Sequence, residues 1–200
     1  MNTRFGMVLG VSGVLAAAMA VAAARGPHDK SEHGAGHDRG SAHAEHHEGD
    51  GKGLSIPQPL TVEHHELHEE LLKATKEPGE VGESARAVAD LLHPHFVKEE
   101  EYALPLLGLL IPASKGETVP HAKEAIAMAE KLKADLPHML EEHRRIVVAL
   151  DALRKAADKA GKAEYVHFTE KLKLHAQTEE QVLYPAAILV GEYLKLKVSK

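Results

Sequence analysis

Residues 95–105 read HFVKEEEYALP, and residues 175–185 read HAQTEEQVLYP. Both follow H-x-x-x-E-E-x-x-x-x-P. Each is preceded by a shorter shared pattern, E-H-x-x-[LI], at Glu63-His64…Leu67 and at Glu142-His143…Ile146. His64 precedes His95 by 31 residues, and His143 precedes His175 by 32. Around these landmarks Leu, Ala, Glu and Lys dominate and β-branched runs are scarce, the composition of helices. Three breaks, KEPGEVG at 76–82, LLIPASKGETVP at 109–120 and KAGK at 159–162, divide the chain into four helical segments. These lie near 58–75, 83–108, 120–159 and 163–197, with Pro137 expected to bend or divide the third. Short connections make each pair an antiparallel hairpin. The fold predicted is all-α: an antiparallel, up-down four-helix bundle whose second hairpin repeats the first about a pseudo-twofold.

The chain outside residues 57–200 is of another kind. Arg4 followed by an apolar run from Phe5 to Ala24, with small residues at Ala22 and Ala24, reads as an export signal over 1–24. The run is also about long enough to span a bilayer, so the alternative is an uncleaved anchor, the one route to membrane contact. Removal of the signal would leave the protein periplasmic or secreted. Residues 25–56 hold almost no large apolar side chain but contain His28, His33, His37, His43, His46 and His47. Such a stretch cannot offset the entropy of ordering itself, and it is expected to be a disordered, histidine-rich linker.

Composition narrows the chemistry. The 200 residues include 30 acidic and 24 basic side chains, a formal net charge of −6, which argues against a nucleic-acid partner. Cysteine is absent, which removes disulfides, thiolate metal sites and cysteine nucleophiles. No serine-type triad or phosphate-cradling glycine loop is present. Histidine stands out at 16 residues.

The helical stripes carry those histidines inward. Phe168, Leu172, His175, Glu179, Val182 and Ala186 step by 4, 3, 4, 3 and 4, tracing one face of the fourth segment. Val88, Leu92, His95, Glu99, Tyr102 and Leu106 do the same in the second. Leu136, Leu140, His143, Val147 and Leu150 form the stripe of the third. Leu60, His64, Leu67, His68 and Leu71 share a face of the first. A single histidine on such a face is ordinarily hydrogen-bonded core. Four imidazoles and two carboxylates meeting in one core are different, because each stranded carboxylate costs on the order of several kcal/mol. Multivalent cations relieve that cost. Nitrogen and oxygen donors accept iron, manganese or zinc, and two carboxylates on facing helices suit a pair of ions.

In these features residues 57–197 resemble the hemerythrin-like (HHE cation-binding) family, four-helix bundles that hold a non-haem di-iron site. The resemblance implies His64, His95, Glu99, His143, His175 and Glu179 as ligands of two iron ions, with Glu99 and Glu179 bridging. The oxygen-carrying members have a second histidine one turn after the first in the third helix, where this chain has Val147. His68, one turn after His64, is expected to take that role for the ion served by the first hairpin. The function expected is reversible binding or sensing of oxygen or a related small diatomic ligand, or iron handling. The alternatives are a ferroxidase or peroxide-decomposing enzyme, and a metal buffer that uses the histidine-rich linker. Glu100 and Glu180 fall off the ligand face, so secondary or surface roles are expected for them. Tyr102 and Tyr184 are expected as packing.

Overall fold

A computed structural model describes residues 54–199. The expected signal and residues 25–53 of the expected histidine-rich linker lie outside the described residues; the end of that linker needs correction, because Leu54 and Ile56 pack against the apolar core. Among the described residues all regular structure is helical. Helix α1 spans Gln58–Thr75, α2 Gly79–Lys98, α3 Leu104–Leu107, α4 Leu110–Ser114, α5 Ala122–Lys159, α6 Ala163–Thr178 and α7 Tyr184–Val198. Two π-helical turns, Glu99–Ala103 and Glu179–Leu183, join α2 to α3 and α6 to α7 without a break in the rod. Four helical rods therefore pack together: α1, α2–α3, α5 and α6–α7. Helix α5 packs on α2, α6 and α7, and α1 packs on α2 and α6. None of the described helices is long and apolar enough to cross a membrane.

The rod boundaries follow local chemistry. Gly161 sits at φ +67°, a left-handed conformation that costs glycine little, and closes α5. Its N–H donates to the Asp158 carbonyl at 3.1 Å, and the Lys162 N–H donates to the Ala157 carbonyl at 2.9 Å. That pair of bonds satisfies the last carbonyls of the helix and turns the chain into α6. Three expectations need correction. The second rod begins at Gly79 rather than at 83, the 109–120 break contains the short helix α4, and Pro137 does not divide the third rod. Pro137 is exposed, so the Lys133 carbonyl that loses its helical donor faces water.

The π turns have a cause in the repeated proline. Pro105 and Pro185 have no N–H, and their rings crowd the carbonyl four residues back. The turn ahead of each widens, so that Leu104 N–H donates to the Glu99 carbonyl and Tyr184 N–H to the Glu179 carbonyl. The extra residue shifts the phase of the helix beyond it. In the fourth rod Val182 swings out to 55% exposure, and Tyr184 enters the core in its place at 0%.

Apolar side chains form two clusters. One gathers Tyr102, Leu106, Leu132, Met139, Tyr184 and Val190; the other gathers Leu67, Leu71, Val88, Leu92, Leu150 and Phe168. Between them, on every rod, lie the buried polar residues His64, His95, Glu99, His143, His175 and Glu179. The core is thus apolar at both ends with a polar layer across its middle.

Candidate metal centre

Six side chains from four rods make up that layer, in two overlapping groups. His95, Glu99, His143 and Glu179 offer donor atoms that all lie within 4.8 Å of one another, and so do His64, His175 and Glu179. The π turns place the carboxylates, since Glu99 and Glu179 are the first residue of each.

Each carboxylate divides its oxygens between the two histidine pairs. Glu179 Oε2 lies 3.3 Å from His143 Nε2, while its Oε1 lies 2.9 Å from His175 Nε2 and 3.5 Å from His64 Nε2. Glu99 Oε1 lies 3.5 Å from His95 Nε2, and its Oε2 lies 3.8 Å from His64 Nε2. His95 Nε2 and His143 Nε2 stand 2.7 Å apart.

The outward nitrogens are tied to a ring of glutamates. His64 Nδ1 pairs with Glu100 at 3.3 Å, His95 Nδ1 with Glu142 at 2.9 Å, and His143 Nδ1 with Glu180 at 2.9 Å. His175 Nδ1 lies 3.3 Å from Glu63. Every histidine is therefore held from the neighbouring rod, and the ring closes on itself. A carboxylate only accepts, so each Nδ1 carries a proton, and each Nε2 faces the inward carboxylates with either a second proton or a cation between them. The His95–His143 separation requires a proton or a metal ion between the two Nε2 atoms.

Protons compete for the same place. Burial alone would lower the His64 imidazole, but Glu100, Glu179 and Glu99 outweigh it and hold it up at about 9. His95 rises in the same way to about 8 against its burial, through Glu99 and Glu142, and His175 is raised through Glu179. The two carboxylates part company. Burial and the charge of Glu179 push Glu99 up. Burial would push Glu179 up too, but His143, His175 and His64 together hold it well below the carboxylate range. Glu179 touches three imidazoles where Glu99 has chiefly one, which accounts for the split. Four inward atoms, His64 Nε2, His175 Nε2, Glu99 Oε2 and Glu179 Oε1, are buried without a well-aligned hydrogen bond, the close His175–Glu179 pair included. Each such atom costs about 1–3 kcal/mol if nothing binds it. All four belong to the ligand set implied by the sequence, and they fit a cation of nitrogen and oxygen preference.

The structure brings together six of the seven expected ligands and leaves out His68. His68 joins neither group and is half-buried, its ring 6.1 Å from that of His93. Leu67 and Leu71 take the interior of α1 at 0% and 2% exposure, and His68 falls to the edge facing α2. Val147, likewise partly buried, offers no donor in its place.

Sequence reasoning did not fix five further participants: it passed over Glu63 and Glu142, left Glu100 and Glu180 between secondary and surface roles, and took Tyr184 as packing. Glu63 and Glu142 appear in the shared E-H pattern, and Glu100 and Glu180 in E-E. Their adjacency to a ligand, in all four segments, was the available signal. The fifth is Tyr184. Its hydroxyl donates to Glu99 Oε1 and lies 3.4 Å from His95 Nε2 and 3.3 Å from His143 Nε2. Burial first, then the charges of Glu99 and Glu179, push this phenol far above its ordinary range.

No family model matches the chain, and no curated protein or solved structure matches it significantly.

Proposed function

We propose that this layer is a dinuclear cation centre, one ion between His64 and His175 and the other between His95 and His143, bridged by Glu99 and Glu179. One observation carries the reading: each buried carboxylate turns one oxygen to each histidine pair. This is the ligand set that the resemblance to hemerythrin-like domains implies, with iron as the cation. We take the rods to run up-down and antiparallel, with the second hairpin repeating the first. The glutamate ring supports that symmetry, because His64–Glu100 and His143–Glu180 are equivalent pairs, as are His95–Glu142 and His175–Glu63. Export, inferred from residues 1–24, belongs to the same proposal.

Iron so held supplies reversible binding of dioxygen or a related diatomic ligand at its open positions. The chain's own part is to fix four imidazoles by their Nδ1 protons, to divide two carboxylates between the ions and to exclude bulk water with the flanking apolar clusters. A second reading, an enzyme that oxidises ferrous iron or decomposes peroxide, is favoured by one observation. Without His68 each histidine pair has two imidazoles, which leaves more positions for substrate than a five-histidine site. Elemental analysis of full-length protein isolated without added metal tests the centre: two iron ions per chain are expected, and both are lost in Glu99→Gln/Glu179→Gln. Equal metal content in the two proteins overturns it. Optical bands that come and go with oxygen support reversible binding; irreversible bleaching with peroxide turnover supports the enzyme.

A further inference from the structure

A cavity of about 300 Å³ opens on the outer side of His64 and its partner Glu100, in the groove between α1 and α2. His65, His68 and His93 line it, and no lysine or arginine does. A cavity of about 450 Å³ lies over His143 and Glu180, between α5 and α6. Pairing His64 with His143 and His95 with His175 in the sequence repeat makes these the same place in the two hairpins. Under that pairing His65 corresponds to Arg144, His68 to Val147 and His93 to Lys173. Both floors are a ligand histidine with its glutamate. The walls differ: three imidazoles on one side, two fixed cations and a valine on the other.

We infer that the cavity of the first hairpin is a second, outer cation site, in which His68 and His93 hold an imidazole-preferring divalent ion such as Zn²⁺. The two rings come from facing helices, with centroids 6.1 Å apart and planes 39° apart. An ion sits about 2.0–2.1 Å from an imidazole nitrogen, so a tetrahedral ion holds two ring centroids about 5 Å apart, and these rings must draw together by about 1 Å. The donors of the cavity stand apart rather than converge, and closing on a cation takes side-chain rotation alone, since His65 and His93 are exposed. His65 lines the same cavity, and half-exposed Glu100 adds negative charge at the floor. Arg144 and Lys173 repel a cation from the corresponding place. The histidine left out of the central layer thereby finds a ligand role outside it.

Equilibrium dialysis of the full-length chain against Zn²⁺, followed by elemental analysis, tests the site. His68→Val/His93→Lys carries two residues of the second cavity into the first. It is expected to bind one Zn²⁺ fewer per chain than the wild type. The same loss is expected when both proteins also carry Glu99→Gln/Glu179→Gln, which separates this site from the proposed centre. The histidine-rich linker is common to all four proteins and cancels. Equal Zn²⁺ counts with and without the His68/His93 substitutions overturn the inference, whatever the central variants show. If the double variant loses its helical circular dichroism, His93→Ala, a surface truncation, decides instead. Weakening of one Zn²⁺ by tenfold or more supports the site, and unchanged binding refutes it.

Discussion

The two histidine pairs of the central layer have the same composition but different surroundings. His64 and His175 face the layer with neither Nε2 in a well-aligned hydrogen bond, and Phe96 stacks on His64 at 4.1 Å. His95 and His143 touch each other and share Tyr184, whose ring lies nearly parallel to that of His143. The residue at the position of Tyr184 in the first repeat is Leu104. A symmetric ligand set is thus placed in an asymmetric shell, apolar around one pair and phenolic around the other. The lesson is that a repeated motif specifies donors twice over, while single departures from the repeat decide how the two positions differ.

Removing what the pairs share should have the largest effect. Cations that bind only the folded chain stabilise it by an amount that grows with concentration over Kd, about 4 kcal/mol at a thousandfold excess. Chelation of the iron-loaded protein, in the His68→Val/His93→Lys background that lacks the outer site, should therefore lower its Tm by several degrees, and adding Glu99→Gln/Glu179→Gln should abolish the chelator-dependent shift in calorimetry. A shift that persists in the variant would remove the carboxylates from the account. Next comes a cut in one pair alone. His175→Ala should cost one cation and leave the other, and His143→Ala should do the reverse, as elemental analysis of each variant reads out. Loss of both ions in either case would mean the pairs are not separable.

Smaller effects test the surroundings. Glu142→Leu and Glu63→Leu remove equivalent acceptors from His95 and His175, and each should weaken metal binding roughly 10–100-fold without unfolding the bundle. Titration against a competing chelator measures this, and unchanged affinity would make the glutamate ring a surface feature. Smallest of all, Tyr184→Phe should leave the metal count intact and change the optical spectrum or affinity of one ion only. If both ions change alike, the asymmetry drawn from Leu104 and Tyr184 is wrong.

Much of this was legible in the sequence because repetition suppresses coincidence. Six ligands lie on helical stripes at spacings used twice, and the structure buries all six together. The stripe argument failed where the helix stops being uniform. A constant helical step put Val182 inside, but in the π turn of the fourth rod Tyr184 takes that place, whereas the same turn in the second rod keeps Tyr102 buried. His68 failed for a different reason. A helical wheel gives a face but not its centre, and Leu67 and Leu71 claim the centre of α1. The glutamate ring was hidden because a half-exposed carboxylate looks like solvated surface until the neighbouring rod brings a histidine to it.

The central claim is most directly tested by anomalous X-ray diffraction from crystals of metal-loaded protein. The account predicts two metal peaks inside the bundle, one contacted by His64 and His175, the other by His95 and His143, and both touched by Glu99 and Glu179. A single peak, or none among these six residues, would contradict it.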